Sequence, residues 1–177
     1  SFYFNGGYSF DNRYLLDANV RMDGTSVFGT NKRYSETWAV GIAWNIHNER
    51  FMENCIWLDR LKVRASIGNP GNQNFSSYQS YTTYVFNNGN QNPFGTSMLV
   101  ANFGNPDLKW QTTLDKNFGI DITLLNRRLN ITVDYFHKVT DPLLIRIGMP
   151  LSSGTPTYMT NAGEQTSQGV TATASYY

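Results

Sequence analysis

Hydrophobic and polar residues alternate along most of this chain. In FGIDITLLNRRLNITVDYF, Phe118, Ile120, Ile122 and Leu124 share one parity, and Gly119, Asp121 and Thr123 the other. Beyond Asn126-Arg127-Arg128, Leu129, Ile131, Val133 and Tyr135 alternate with Asn130, Thr132 and Asp134. Successive side chains of a strand point to opposite faces, so the spacing predicts a hairpin with one apolar and one polar face. The period recurs elsewhere. Phe2, Phe4, Tyr8 and Phe10 form one apolar line, and Tyr14, Leu16, Ala18, Val20 and Met22 a second, set against Arg13, Asp17, Asn19 and Arg21. Others run through Trp38 to Trp44, Leu61 to Ile67 and Val170 to Tyr176. The only helix-like patch is Asn48 to Trp57. The chain reads as all-β and antiparallel, with about seven main strands.

Connections come in two sizes. Asp11-Asn12-Arg13 and Asn126-Arg127-Arg128 are tight turns, and His47 to Trp57 is a compact connector. DGTSVFGTNKR, Asn69 to Asp107 and Asp141 to Gly169 are long and rich in Gly, Asn, Ser and Pro. Short and long connections alternate, which places all the short ones at one end of the sheet. Outer-membrane barrels sort their connections in this way, with brief periplasmic turns and longer outer loops. The run from Leu108 to Leu125 is interrupted only by Gly119. That is long beside the five or six residues of an ordinary strand, roughly 5–6. An apolar band four alternate residues deep spans roughly 20 Å at about 3.3 Å per residue, near the roughly 25 Å lipid-facing band of such barrels. Trp38 and Trp44 bracket one such band, and Tyr14 and Tyr135 are candidates for its interfacial rims.

Two architectures satisfy the alternation. In a soluble β-sandwich, such as a carbohydrate-binding module, the polar parity is the solvated exterior and the apolar parity lies between two sheets. In a wide transmembrane barrel the apolar parity meets lipid. Asp17, Asn19, Arg21, Lys62, Arg64, Asp115, Asn117, Asp121, Asn130 and Asp134 then face the lumen. Strand length, the grading of apolar residues toward the short turns and the sorting of connections favour the barrel.

Composition removes other classes. A net charge of +1 and 15% charged residues give no basic footprint for nucleic acid. A lone Cys55 offers no disulfide framework. His47 and His137 stand apart from one another without metal-ligand spacing, so neither metal nor cofactor is expected. Glu49 and Glu53, four apart, read as an exposed polar turn rather than an acid–base pair. Asp23-Gly24-Thr25-Ser26 and Gly68-Asn69-Pro70-Gly71-Asn72 lack the Gly-Lys-Ser/Thr ending of a phosphate loop and read as turns. No nucleophile elbow occurs, so no enzyme is expected. The Tyr- and Asn-rich excursion from Ser76 to Phe103 suits sugar rings or peptide backbones through stacking and amide hydrogen bonds. Tyr81, Tyr84, Asn87 and Asn88 are its candidate ligand contacts.

Several stretches resemble one family in order along essentially the whole chain: RMDGTSVFGTNKRY, LKVRASIGNPGNQNF, FGNPDLKWQTTLDKNFGIDITLLNRRLNITVDYFHKVTDPLL and NAGEQTSQGVTATASYY. They are similar to the SusC/RagA-type TonB-dependent outer-membrane transporters; Gln111 departs by replacing a more usual acidic residue. The resemblance implies a barrel of about 22 strands, which needs roughly 220 residues before any loop. Residues 1–177 then form its C-terminal part, not closed alone, with the plug domain and earlier strands upstream. It also implies the bacterial outer membrane, an oligosaccharide or peptide substrate, energy from TonB through the N-terminal part, and a SusD-like lipoprotein over the outer mouth. The bilayer of lipid and lipopolysaccharide is then itself a partner of the wall.

Overall fold

The computed structural model describes residues 1–24, 34–53, 55, 57–71, 81–93, 95–105, 107–155 and 157–177, with backbone alone for 87–92 and 151. Alternation builds one antiparallel sheet of seven strands: β1 (Phe2–Phe10), β2 (Tyr14–Gly24), β3 (Tyr34–Asn45), β4 (Leu58–Asn69), β7 (Thr113–Leu124), β8 (Leu129–Thr140) and β11 (Gln165–Tyr176). They lie side by side in that order, and among the described residues β1 and β11 pair on one side only. Six of the seven have 11 or 12 residues, enough to cross a bilayer when tilted. The sheet is open.

The strands β1–β2, β3–β4 and β7–β8 are joined at one end by the short connections. Asp11 and Asn12 take left-handed backbone conformations, which short polar side chains tolerate. In the β7–β8 turn, Leu125, Asn126 and Arg127 all have positive φ, so Leu125 belongs to the turn rather than the strand. The helix-like patch resolves into two 3-10 turns, Ile46–Asn48 and Arg50–Met52.

The long excursions carry hairpins of their own. β5 (Thr83–Asn92) pairs with β6 (Gly95–Asn102), and β9 (Leu144–Gly148) with β10 (Thr157–Asn161). Two further boundaries differ from the alternation reading. β7 begins at Thr113, not Leu108, because Leu108 is buried in a turn whose amide donates to Asn105 O. Asn161 also brackets the backbone of Lys109, accepting from its N–H at 2.7 Å and donating to its carbonyl at 2.9 Å. β11 begins at Gln165, five residues before Val170, since its polar first half pairs with β8 up to Thr140. Residues 25–33, within DGTSVFGTNKR, and residues 72–80, within the excursion from Asn69 to Asp107, lie outside the described residues.

A core of buried side chains exists only among the loops. Leu108, Asn105 and Thr155 are the buried non-glycine residues among those described. Among the described residues no second layer covers the apolar face of the sheet: Ile42 is 57% exposed and Phe118 45%. The sandwich arrangement would have hidden both.

Candidate functional site

Cross-strand partners share a face, so the register assigns every side chain to a side. One row runs Tyr8, Leu16, Ile42, Ala65, Phe118, Tyr135 and Val170, one residue from each strand and all apolar. The apolar field does not follow such rows. On β1 and β2 its loop-side end lies at the paired Phe2 and Met22. Met22 faces Glu36 on β3, where the line ends at Trp38 instead. Trp38 faces Asn69 on β4, where it ends at Ile67. Ile67 faces Lys116 on β7, where the unbroken line ends at Phe118, whose partner Tyr135 ends it on β8; Leu114 and Val139 lie beyond the polar Lys116–His137 pair. The boundary has moved six residues over five strand spacings. At about 3.3 Å per residue and about 4.8 Å per spacing, it climbs at roughly 40° to the hydrogen-bonding rows. Strands of outer-membrane barrels tilt by about 35–45°, so this boundary follows a plane of constant depth across tilted strands.

The opposite face holds all ten polar positions singled out from the sequence. Asp17 and Asn117 share a row through Gly41 and Ser66, and Asn19 and Asp115 another through Ala39 and Gly68. Arg21, Lys62 and Asn130 are on the same side. Arg64 is the hub. Its Nε lies 3.3 Å from Asp121 Oδ2 and its Nη2 2.7 Å from Asp134 Oδ1. Thr132 donates to Asp121 as well. Gly119 lies beneath this cluster, and a Cβ there would overlap the Arg64 guanidinium and the Asp134 carboxylate. At Gly169 a Cβ would overlap the Phe136 ring. Glycine on one strand thus lets a neighbour's side chain lie flat along the wall. Arg21–Asp23 at 2.6 Å and Lys138–Asp115 at 3.1 Å pair further charges, leaving Asp17 and Lys62 without an ion pair among the described residues.

At the short-turn end, Tyr14 and Trp44 stack with ring centroids 6.2 Å apart. Tyr14 Oη and Trp44 Nε1 both donate to Glu49 Oε1, at 2.9 and 3.1 Å. Arg13 reaches Glu49 Oε2 at 3.7 Å. Hydrogen bonds from Trp44 and then Tyr14 hold the Glu49 carboxyl below the ordinary value of 4.5. Glu49 is therefore a clasp on two interfacial aromatics, a correction to its reading as an exposed turn residue. Trp44 and Tyr14 are aromatic and Glu49 lies only one connector away; the sequence shows the three but not their contact. Asn45 and Asn48 each donate to Asn12 O, binding the two turns together.

The other end uses asparagine twice in one way. Asn69 Oδ1 accepts from Gly71 N–H and Thr113 N–H, while its Nδ2 donates to Glu36 O. Asn105 Oδ1 accepts from Asp107 N–H, while its Nδ2 donates to Met159 O. Each side chain closes a turn and hooks it to a neighbouring strand. The Asn-Pro dipeptide repeated in IGNPG and FGNPD was the available signal. Tyr81 and Tyr84 are exposed at and just before the start of β5. Tyr84, Asn87 and Asn88 thus lie in a strand rather than a loop, and the side chains of Asn87 and Asn88 lie outside the described residues. His47 Nδ1 is 3.2 Å from Leu61 O, and no group of three metal-binding side chains occurs among the described residues.

Comparison with known proteins places this geometry. A family model described as TonB dependent receptor-like, beta-barrel, matches residues 1–177. The chain is 35% identical over 171 residues to TonB-dependent receptor P39 of Formosa agariphila, covering 96% of this chain and 16% of that protein. It is 32% identical over 169 residues to TonB-dependent receptor SusC of Bacteroides thetaiotaomicron, covering 92% of this chain and 17% of that protein. It is also similar to a solved structure described as the RagAB peptide importer in the closed-closed state. The TM-score is 0.85 and the identity 31%, over 95% of this chain and 18% of that one. The chain thus spans less than a fifth of the length of these relatives.

Proposed function

The chain belongs to the TonB-dependent receptor β-barrel family of the outer membrane, in its SusC/RagA type, and from that premise we propose that it forms barrel wall and outer loops of a TonB-energised importer. Residues 1–177 are the C-terminal part of the barrel in this reading, with the plug and earlier strands supplied upstream. The oblique apolar boundary from Met22 through Trp38 and Ile67 to Phe118 carries it. A lipid plane crossing tilted strands produces that boundary, and a protein layer packed on aligned strands does not.

The polar face then lines the lumen, with Asp17, Asn19, Arg21, Lys62, Arg64, Asp115, Asn117, Asp121, Asn130 and Asp134 as wall residues. Most of its charges are paired with each other, so this stretch presents little net field to a passing solute. That suits oligosaccharides or peptides of varied charge. Tyr81, Tyr84, Asn87 and Asn88 are the ligand contacts at the outer mouth, beneath a SusD-like lipoprotein lid. The likeness to a structure described as a peptide importer supports the peptide arm of this substrate class.

Uptake of fluorescently labelled peptides and oligosaccharides by cells carrying the full-length receptor tests the proposal. Uptake is expected to require TonB and to fall in Tyr81→Ala/Tyr84→Ala, with barrel assembly unchanged. TonB-independent entry of both solute classes would overturn it.

A further inference from the structure

Just outward of the apolar boundary, the lipid side of β7, β8 and β11 carries one polar row, Lys116, His137 and Gln168 in register. Directly inward lie Phe118, Tyr135 and Val170, all exposed. Lys116 is the only lysine or arginine on the apolar face of the seven strands. It is exposed, and it makes no ion pair or side-chain hydrogen bond among the described residues. Its partners in register are Ile67 and His137, and along its own strand face lie Leu114 and Phe118, so no adjacent side chain answers its charge. On the opposite face, by contrast, Arg64 and Lys138 have carboxylates at 2.7 and 3.1 Å.

Depth supplies the missing partner. Lys116 lies two residues beyond Phe118, about 6.6 Å along the strand. With strands tilted by about 40°, it stands about 5 Å above the boundary plane. The polar layer on each side of the hydrocarbon is roughly 5–7 Å deep, so the row sits among headgroups. The long connections lie at this end, which in outer-membrane barrels is the outer side. A cation at the surface of an anionic leaflet is held there by the lipid charge.

We propose that Lys116, His137 and Gln168 bind the phosphate of a phosphorylated glycolipid of the outer leaflet, the lipid part of lipopolysaccharide. The ammonium supplies charge, and the imidazole and carboxamide N–H groups supply further donors. A phosphate monoester offers three acceptor oxygens, one for each strand. The strands are about 4.8 Å apart, a spacing that the long side chains of Lys116 and Gln168 can close toward His137 between them. Phe118 and Tyr135 offer exposed ring faces to the sugar that carries the phosphate, which a glycerophospholipid lacks. This inference rests on the lipid-facing assignment of the apolar face, not on the transported solute.

Native mass spectrometry of the full-length receptor in detergent tests it, with diphosphoryl lipid A, its dephosphorylated form and phosphatidylglycerol as probes. Diphosphoryl lipid A is expected to be retained in preference to both other probes. Lys116→Gln is expected to lower that retention at least about fivefold. Lys116→Arg is expected to preserve most of it. Arg128→Gln, which removes an exposed charge at the short-turn end, is expected to leave it unchanged. Equal retention of either other probe, wild-type retention by Lys116→Gln, or an equal loss in Arg128→Gln would overturn the site. Each variant is compared as receptor that keeps its folded gel mobility, so failure of the site is separate from failure of the wall assignment.

Discussion

Arg64 and Asp134 meet at 2.7 Å although β7 lies between their strands. The contact is possible because the residue between them in the register is Gly119, which offers no side chain to hold them apart. Both partners are more than a third exposed, so the pair belongs with exposed ion pairs worth about 0.2–1 kcal/mol. A double-mutant cycle of Arg64→Met and Asp134→Asn, read by the temperature at which the full-length barrel loses its folded mobility in gels, is expected to show coupling in that range. Gly119→Val is expected to abolish the coupling while keeping both charges.

Ile122 sits on the apolar face between Leu61 of β4 and Ile131 of β8. Ile122→Arg is expected to cost about 2–4 kcal/mol if mid-membrane, whereas the neighbouring Thr123→Arg, on the polar face, is expected to cost far less. Assembly into vesicles, followed by denaturant titration, compares the two.

Glu49 ties protonation to the rim. Its folded carboxyl titrates below the ordinary value, so its contribution is fully present above 4.5 and is lost as pH falls through the lower folded value. Thermal stability of the wild-type receptor is therefore expected to fall more steeply than that of Glu49→Gln as pH is lowered from above 4.5 through the depressed folded value. Parallel curves would show that the carboxylate does not stabilise the rim.

Asn69 satisfies two amides and one carbonyl at the root of the second long excursion. Asn69→Ala is expected to cost about 1–2 kcal/mol, since it strands polar backbone groups at a partly buried site. The local sign is faster proteolysis within the excursion, with the barrel left intact. Asn105→Ala is expected to do the same at the root of β7, through the loss of Met159 O and Asp107 N–H.

The wall was legible in the sequence because lipid and water impose opposite preferences on alternate residues. Phe118 to Leu124 and Leu129 to Tyr135 announced their faces, and register then placed the polar residues within those two runs together. What alternation does not encode is the partner of each row, so the oblique boundary emerged only once Met22 was seen opposite Glu36 and Trp38 opposite Asn69. The loops were harder. Leu108 continues the apolar spacing of the strand after it, yet it is buried in a turn beside Lys109, whose backbone is clamped by Asn161 some fifty positions away. Glu49 read as solvent-facing because nothing local reveals that two aromatics point at it.

The orientation of the two faces is tested most directly by labelling single cysteines at consecutive β7 positions 118 to 123, in a full-length receptor with Cys55 replaced, and reconstituting it in vesicles. Spin labels at 118, 120 and 122 are expected to be relaxed by oxygen dissolved in lipid, and those at 119, 121 and 123 by a water-soluble nickel chelate. An inverted pattern, or labels at 118, 120 and 122 shielded from both relaxers, would mean that protein rather than lipid covers the apolar face.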